Sequence, residues 1–459
     1  MSARARGASA VDTGSRNAVT GDYLQDVAAR GEDPGALRAA ALAAADLGPT
    51  SYGGRCLTRP AFLDRAERDL LEADLRQLHT ALNGLPDRLF GGDLGGLARA
   101  AGMTEAQVTA IQRGRGTAPT RLTRADLYHD GATFRLMELN IGSTVGGLDN
   151  AVLNRAVLSH PPFAEFAAGH KLGYPDTMAE LARMLTAEYA TDSGRPPLFA
   201  AADWPASFAT LEPQLRASAA VLGELGVEII PCHLGQLDIG GGEVRLGGRH
   251  VDVVYRVFMN EDLLDPGAPE LVDPVLRAVE RGEVQMFAPM DAELYGSKAV
   301  LAMLSDEANR DHFDAAELES LDRLLPWTRM VRDAPVTVDG ERVGLPELAA
   351  ERREELVLKP TLMHGGLGVM LGWRVDPQEW MAAMRAATDG PYVLQRRIRS
   401  VPEPFPAAVP GGTEQQLVNW MIFSMSRGFG GGIVRGSTDL SGGVLNSAGG
   451  ATLGCCFTE

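Results

Sequence analysis

Alternating apolar and polar positions in the second quarter of the chain predict a β-hairpin. One alternating run ends at the turn residues 129–131, and a second covers residues 133–139. Because successive side chains of a strand point to opposite faces, Glu138 and Asn140 share one face. Asp126 can lie across the hairpin on that face. The pattern therefore predicts a cluster of hard oxygen ligands there, although an ordinary solvated hairpin face would show the same residues.

The first quarter of the chain has the spacing of helices instead. From about Asp22 to Ile111 it is rich in Ala, Leu, Arg and Glu, and apolar residues recur at helical intervals, for example from Ala61 through Leu82. We expect residues 1–118 to form a helical N-terminal region, followed by the hairpin and further helices over residues 119–196.

The third segment, residues 197–289, has the order of a βαβ unit. An apolar strand begins at Pro197, a helix covers residues 211–226, and two more strands are predicted at residues 227–230 and 251–255. Strands that alternate with helices in this way form parallel sheets.

The last segment, residues 290–459, mixes helices and strands. We predict a helix over residues 297–304 and strands at residues 355–358, 392–395 and 419–425. A proline-rich stretch, with prolines at 402, 404, 406 and 410, predicts a loop between the last two strands.

Composition restricts the class of protein. A chain of 459 residues is too long for one ordinary core. Its net charge of -17 argues against a nucleic-acid or membrane partner. The first residues lack the apolar core of a signal peptide, and no run of 18 apolar residues occurs. We expect a cytoplasmic enzyme that acts on small molecules, and a homodimer stays open.

The cysteines give no sign of a metal site. Cys56, Cys232, Cys455 and Cys456 lack metal-ligand spacing, and the adjacent pair is poorly placed for an internal disulfide. A Gly-x-Ser-x-Gly motif is also absent. These features favour a reducing compartment and argue against a hydrolase.

A lysine followed by a glycine-rich segment is the strongest candidate for phosphate binding. Lys359 ends a predicted strand, and Gly365, Gly366 and Gly368 follow it. Such a segment lets backbone N–H groups approach phosphates, and the lysine adds a positive charge. Structural glycines of a hairpin are the alternative.

Other polar residues carry weaker predictions. Gln395 ends an apolar strand that could lie along a purine ring, or it belongs to a plain buried strand. Lys298 lies near a helix N-terminus that Ser297 would cap, where anions are favoured, although a surface lysine would look the same. Arg256 could hold a substrate carboxylate or form a structural ion pair. His364 lies within the glycine-rich segment, where a solvent-facing position is expected.

The order of these residues resembles that of the circularly permuted ATP-grasp ligases, of the glutathionylspermidine-synthase-like, peptide-ligase type. In sequence order the residues that carry the resemblance are Arg124, Asp126, Glu138, Asn140, Lys298, Lys359 with its glycines, and Gln395. In ordinary ATP-grasp enzymes the metal-binding strands follow the nucleotide-binding lysines, whereas here they precede them.

The resemblance implies an α+β structure: a permuted ATP-grasp fold with a pre-ATP-grasp βαβ domain over residues 197–289 and a helical N-terminal region. It also implies ATP and Mg²⁺ as cofactors. The implied metal ligands are Asp126, Glu138 and Asn140. The implied nucleotide-binding residues are Lys298, Lys359, Gly365, Gly366, Gly368 and Gln395. Arg124 and Arg435 would contact phosphate or substrate.

The expected activity is therefore that of a carboxylate-amine ligase, which forms an amide bond through an acyl phosphate and converts ATP to ADP and phosphate. Two alternatives stay open. One is a binding or scaffold protein that keeps the fold without catalysis, and the other is a phosphotransferase that stops at a phosphorylated product.

Overall fold

The computed structural model of the protein describes residues 16–44, 54–147, 151–191, 194–407, 409, 412–446 and 449–459. The elements before residue 120 are α1 (Ala18–Arg30), α2 (Ala36–Ala44), β1 (Ala61–Leu63), α3 (Arg65–Phe90), α4 (Leu94–Ala100) and α5 (Glu105–Arg113). The elements of the next segment are β2 (Thr123–His129), β3 (Phe134–Ile141), α6 (Ala151–Val157), α7 (Pro161–Gly169) and α8 (Thr177–Glu188).

The second half of the chain begins with the elements of the predicted βαβ unit. These are β4 (Leu198–Asp203), α9 (Pro205–Glu224), β5 (Glu228–His233), β6 (Leu237–Gly240), β7 (Glu243–Leu246), β8 (Arg249–His250), β9 (Val253–Arg256), α10 (Ala268–Glu280) and β10 (Gln285–Phe287). Strands β10, β9, β4 and β5 form a parallel sheet in that order, which confirms the βαβ prediction. Strands β6, β7 and β8 form a separate three-stranded sheet.

The remaining elements contribute to three further sheets, one of which is a two-stranded antiparallel ribbon. They are α11 (Ala292–Gly296), α12 (Lys298–Ser305), α13 (Ala315–Leu324), β11 (Thr328–Met330), β12 (Val336–Val338), β13 (Glu341–Val343), α14 (Leu345–Glu351), β14 (Leu356–Pro360), β15 (Met370–Leu371), α15 (Pro377–Ala387), β16 (Tyr392–Arg396), β17 (Glu403–Pro406), β18 (Thr413–Met425), β19 (Gly428–Ser437) and β20 (Thr452–Thr458). Strands β11, β16, β14 and β15 form a four-stranded antiparallel sheet, which we call the small sheet.

A seven-stranded sheet lies at the centre of the structure. Its order is β1, β20, β19, β18, β2, β3, and β17 also pairs with β18. The predicted hairpin is confirmed as β2 and β3, with Asp126 opposite Glu138 and Arg124 opposite Asn140. Strand β2 pairs antiparallel with β18, so residues about 300 positions apart in the chain are neighbours in the sheet.

Two predictions of local structure are wrong. Residues Ala61–Leu63 form strand β1, where a helix was expected, because they pair in parallel with β20 at the other end of the chain. Glu403–Pro406 forms strand β17 where a loop was expected. Prolines are tolerated there because β17 is an edge strand. Pro410 lies outside the described residues.

Helix α3 shows how the helices are attached to this sheet. Asp64 caps its N-terminus by accepting a hydrogen bond from the backbone N–H of Glu67. Leu71, Leu75 and Leu78 recur at helical spacing and are buried in the same core as residues of β2 and β18. The helical face therefore packs on the sheet that carries the hairpin.

The described residues contain no helix with both the length and the apolarity needed to cross a bilayer. The four cysteines are buried free thiols.

A buried ion pair joins the N-terminal segment to the C-terminal strands. Arg59 has no exposed side-chain surface and contacts Glu403 of β17 at 3.2 Å. The same guanidinium donates to the carbonyl oxygen of Pro404 at 2.9 Å. Burial lowers the pKa of Arg59, and the Glu403 carboxylate opposes that shift. The negative charge of Glu403 therefore offsets much of the cost of burying this arginine.

We expect Glu403→Gln to destabilise the protein by about 3 kcal/mol, because it leaves the Arg59 charge buried without its counter-charge. Urea unfolding measures this change. The matched control is Glu354→Gln, since the Glu354 side chain is 74% exposed and should contribute little. Equal unfolding midpoints for the two variants would contradict this account.

Candidate active site

A cavity of about 580 Å³ lies between the central sheet and the small sheet. Its wall on the central sheet includes Arg124, Tyr128, Met137, Glu138, Asn140, Leu417 and Arg435. Its wall on the small sheet includes Val357, Lys359, Leu371, Gln395 and Arg396. Further lining residues come from the glycine-rich segment, from Trp373, and from within residues 397–402 and 440–446. Most of the sequence-predicted site residues therefore meet at one cavity.

Asp126 lies beneath this wall in a tight polar cluster. Arg124 donates from Nε to Asp126 Oδ1 at 2.7 Å and from Nη2 to Oδ2 at 3.1 Å. Asn140 Nδ2 donates to Asp126 Oδ1 at 3.3 Å, and Arg435 Nη1 lies 3.8 Å from Oδ2. Burial raises the pKa of Asp126, and the Arg124 guanidinium opposes this shift. In this arrangement Asp126 orients Arg124 and does not itself line the cavity.

Glu138 is the acidic side chain that the structure places on the cavity wall. Lys298 Nζ lies 3.6 Å from Glu138 Oε2 and donates to the carbonyl oxygen of Met363 at 2.8 Å. Burial opposes ionisation of Glu138, but the positive charges of Lys298 and Lys359 outweigh it and lower its pKa. Glu138 is therefore an anion next to two lysines. The predicted N-cap is confirmed, since Ser297 accepts from the N–H of Ala299.

Lys359 bridges the two sheets that enclose the cavity. Its ammonium group donates to Gln395 Oε1 at 2.7 Å and to the carbonyl oxygen of Met137 on β3 at 3.1 Å. Gln395 Nε2 donates in turn to Thr328 Oγ1 at 3.1 Å. Burial lowers the pKa of Lys359 to about 8. The amide of Gln395 thus positions the lysine, in addition to lining the cavity.

The glycine-rich segment needs its glycines for two reasons. Gly365, Gly366 and Gly368 all have positive φ angles, where other residues are strained. A Cβ on Gly366 would also lie 2.6 Å from Val444 Cγ1. Asn446 Nδ2 donates to the carbonyl oxygen of Gly365 at 3.1 Å. The segment therefore packs closely against residues 440–446 across the mouth of the cavity.

The sequence reasoning missed the residues that hold this mouth in place. Trp373 Nε1 donates to the carbonyl oxygen of Gly442 at 2.9 Å, and the Arg397 guanidinium lies 3.9 Å from the centre of the Trp373 ring. Arg374 Nη2 donates to Asp439 Oδ2 at 2.6 Å. For Arg397 the sequence did offer a signal, because three arginines occur within residues 396–399, directly after Gln395.

Arg256 lies away from the cavity. Its Nε donates to the carbonyl oxygen of Ala288 at 2.6 Å, and its Nη1 donates to that of Phe258 at 2.8 Å. It also forms a buried ion pair with Glu293. Arg256 therefore forms the structural ion pair that was the alternative to binding a substrate carboxylate, and we do not include it in the site. His364 is partly buried, where a solvent-facing side chain was expected.

The donor set around Glu138 fits a magnesium ion shared with a ligand. In the described part of the chain, no group of three or more histidine, cysteine or acidic side chains is arranged to hold a metal. Magnesium usually takes one or two carboxylates, with waters and phosphate oxygens completing its octahedron. Glu138 is ionised. Asn140 donates a hydrogen bond to Asp126 from its side-chain nitrogen, so its amide oxygen takes no part in that hydrogen bond. Asp126 could bind the magnesium ion directly only if Arg124 turned away from its carboxylate. Its role as a metal ligand therefore stays a prediction.

The cavity is strongly cationic within an acidic protein. Among its described lining residues, Arg124, Lys359, Arg396, Arg397, Arg399 and Arg435 are basic, and Glu138 is acidic. Asp339 pairs with Arg396 at 2.8 Å. An anion is therefore the ligand that this cavity favours.

We expect Gly366→Ala to loosen the mouth of the cavity more than Gly365→Ala. Both substitutions place a side chain at positive φ, at a cost of about 1 kcal/mol each. At Gly366 the new Cβ would also collide with Val444, whereas nothing lies within 4 Å of a Cβ at Gly365. Limited proteolysis should therefore cleave residues 440–446 faster in the Gly366 variant. Equal cleavage rates would rule out the proposed contact.

Comparisons with known proteins support the fold. No protein-family model and no curated protein matches the sequence. A solved structure of a glutathione synthetase-like effector from Globodera pallida, in its apo form, aligns with a TM-score of 0.54 and 13% identity, over 88% of this chain and 90% of its own. A protein provisionally assigned as a γ-glutamylcysteine synthetase, from Methylobacillus flagellatus KT, aligns with a TM-score of 0.42 and 15% identity, over 83% and 85%.

The first likeness shows a shared mixed α/β fold, and the second is too distant to carry an argument. At 13% identity the shared fold does not establish an activity.

Proposed function

We propose that this protein is an ATP-dependent carboxylate-amine ligase with a permuted ATP-grasp fold. The observation that carries the proposal is the bridge from Lys359 on the small sheet to the carbonyl oxygen of Met137 on β3, directly before Glu138. It brings Lys359 and the candidate metal ligands Glu138 and Asn140 to one cavity between two sheets. The shared fold with a glutathione synthetase-like protein supports the proposal.

The nucleotide would lie along the cavity with its two ends in different surroundings. An apolar cluster of Tyr128, Leu417 and Leu445, with Met137 and Ile398 packed on it, lies at the cavity wall and suits a purine ring. Lys359 and the backbone of the glycine-rich segment suit the phosphates. We therefore place the base against the apolar cluster and the triphosphate toward Glu138.

Glu138 and Asn140 would hold Mg²⁺, with Asp126 behind them. The bound ion would supply positive charge that offsets the repulsion between two reacting anions. Arg124 and Arg435 would hold the substrate carboxylate or the transferred phosphoryl group, since Asp126 orients Arg124 and contacts Arg435.

The proposed reaction has two steps. A carboxylate oxygen of the substrate attacks the γ-phosphorus, the bond to the bridging oxygen breaks, and ADP leaves. The amine nitrogen then attacks the acyl carbon, the C–N bond forms, the C–O bond breaks, and phosphate leaves. The segment that packs over the cavity mouth would exclude water, which would otherwise hydrolyse the acyl phosphate.

The decisive experiment combines product analysis with trapping of the intermediate. Purified protein is incubated with Mg-ATP, hydroxylamine and pooled amino acids, peptides and polyamines, and the products are identified by mass spectrometry. We expect ADP together with a hydroxamate, which names the acid. Glu138→Gln should remove both products while circular dichroism shows an intact fold, and Glu341→Gln, at an exposed position outside the cavity, should resemble the wild type.

Other outcomes of this experiment point elsewhere. AMP in place of ADP would indicate adenylation and overturn the proposal. A stable phosphorylated product that no amine consumes would indicate a phosphotransferase. Absence of ATP binding in a calorimetric titration would indicate a protein that keeps the fold without the activity.

ATP affinity should fall as the pH rises through about 8. The lowered pKa of Lys359 means that its ammonium form, which attracts phosphate, is lost above about pH 8. We expect affinity to fall about tenfold between pH 7 and pH 9 in the wild type. Lys359→Arg should give a flatter profile, because arginine stays charged over this range. Calorimetric titration at several pH values measures both, and parallel profiles would contradict the assignment.

A further inference from the structure

One short segment of the chain contacts three walls of the large cavity. We call this segment, residues 439–446, the strap. Its first residues hydrogen-bond to side chains that follow strand β15 of the small sheet. Leu445 is buried in the apolar cluster on the central sheet. Asn446 donates a hydrogen bond to the glycine-rich segment, and Val444 packs against that segment. The position of the strap therefore affects all three walls.

Two adjacent side chains hold the start of the strap. Arg374 Nη2 donates to Asp439 Oδ2 at 2.6 Å and to Ser441 Oγ at 2.5 Å. Its Nε donates to the carbonyl oxygen of Gly442 at 3.3 Å, and Trp373 Nε1 donates to the same oxygen at 2.9 Å. Hydrogen bonds from Ser441 and Arg374 lower the pKa of Asp439 to about 2. The guanidinium of Arg374 therefore faces a carboxylate that is ionised at neutral pH.

The backbone of Arg374 is in turn attached to the small sheet. Its N–H donates to the carbonyl oxygen of Leu371 on β15 at 2.8 Å. The N–H of Gly372 donates to the carbonyl oxygen of Leu356 on β14 at 3.0 Å. Strand β14 also carries Lys359. Arg374 thus links the strap to the strand that carries this lysine.

The ion pair of Arg374 and Asp439 lies outside the cavity. Neither residue is among the described residues that line it. The two side chains are 40% and 53% exposed, and an exposed ion pair contributes little to overall stability. Loss of this pair should therefore release the start of the strap without unfolding the protein. It would also remove no contact with a ligand inside the cavity.

We propose that Arg374 is a positioning residue for the phosphates of the nucleotide and acts through the strap on the glycine-rich segment; this inference rests on the proposed function. The pair with Asp439 fixes the start of the strap, and the strap fixes Gly365 and Gly366. Backbone N–H groups of this segment bind the phosphates. A segment that is already ordered loses less conformational entropy when a ligand binds, so affinity is higher.

Hydrogen exchange of the full chain without nucleotide tests the link from the strap to the glycine-rich segment. The N–H groups of Leu367 and Val369 donate to carbonyl oxygens within the segment, so their exchange reports its order. Arg374→Gln should speed their exchange about tenfold, because the strap no longer holds the segment. Arg385→Gln is the matched control, since Arg385 is exposed and outside the cavity. Equal exchange in the wild type and Arg374→Gln overturns the inference.

A double-mutant cycle tests whether the two charged residues act as a pair. Asp439→Asn should also speed the exchange of the glycine-rich segment. The double variant should exchange no faster than Arg374→Gln, because either substitution breaks the same contact. Effects that multiply in the double variant would show that the residues act independently and would overturn the inference.

Calorimetric titration with nucleotides separates this inference from the proposed function. Arg374→Gln should weaken Mg-ATP binding about tenfold relative to the wild type and to Arg385→Gln. AMP, which lacks the β- and γ-phosphates, should bind equally to all three proteins. Equal ATP affinity in the wild type and Arg374→Gln, or an equal loss for ATP and AMP, would overturn the inference and keep the ligase. Absence of ATP binding by the wild type would overturn the proposed function.

Discussion

The pairing of β2 with β18 is the interaction on which the candidate site depends. It places Asp126 opposite Met421, and so joins the hairpin to strands that occur about 300 residues later. Strand β19, which pairs with β18, then brings Arg435 within 3.8 Å of Asp126. Without this pairing the hairpin would be a two-stranded ribbon, which is marginally stable in water. The sheet therefore fixes both the stability of the hairpin and the position of its polar face.

Burial of charge explains the arrangement beneath the cavity. Asp126 is fully buried, and a buried carboxylate is tolerated only when hydrogen bonds and opposite charges surround it. Arg124 supplies both, and the same contact holds its guanidinium at the cavity wall. The cost of burying Asp126 is thus offset by a contact that also orients a basic group toward a ligand. Removing Arg124 would leave the buried Asp126 carboxylate with Arg435, 3.8 Å away, as its remaining ion-pair partner and would destabilise the protein.

The sequence predicted the elements with strong local periodicity and missed those that depend on distant partners. The hairpin of Glu138 and Asn140 follows from alternation, and its register placed both residues on the cavity wall. Strand β1 could not be found in this way, because its partner is β20 at the far end of the chain. The engagement of Arg256 with backbone carbonyl oxygens was equally invisible, since a lone arginine after a strand has the same local pattern in a structural and a catalytic role.

The charge of the whole chain and the charge of the cavity lead to opposite expectations for an anionic ligand, and distance decides between them. Charges separated by more than about 8 Å are largely screened at physiological ionic strength. The net charge of -17 is spread over the whole molecule, whereas the arginines and Lys359 line one cavity. A small anion in that space is close to these groups, so their attraction exceeds the repulsion from the rest of the surface. An acidic chain can therefore hold an anion where six of its 43 lysines and arginines converge.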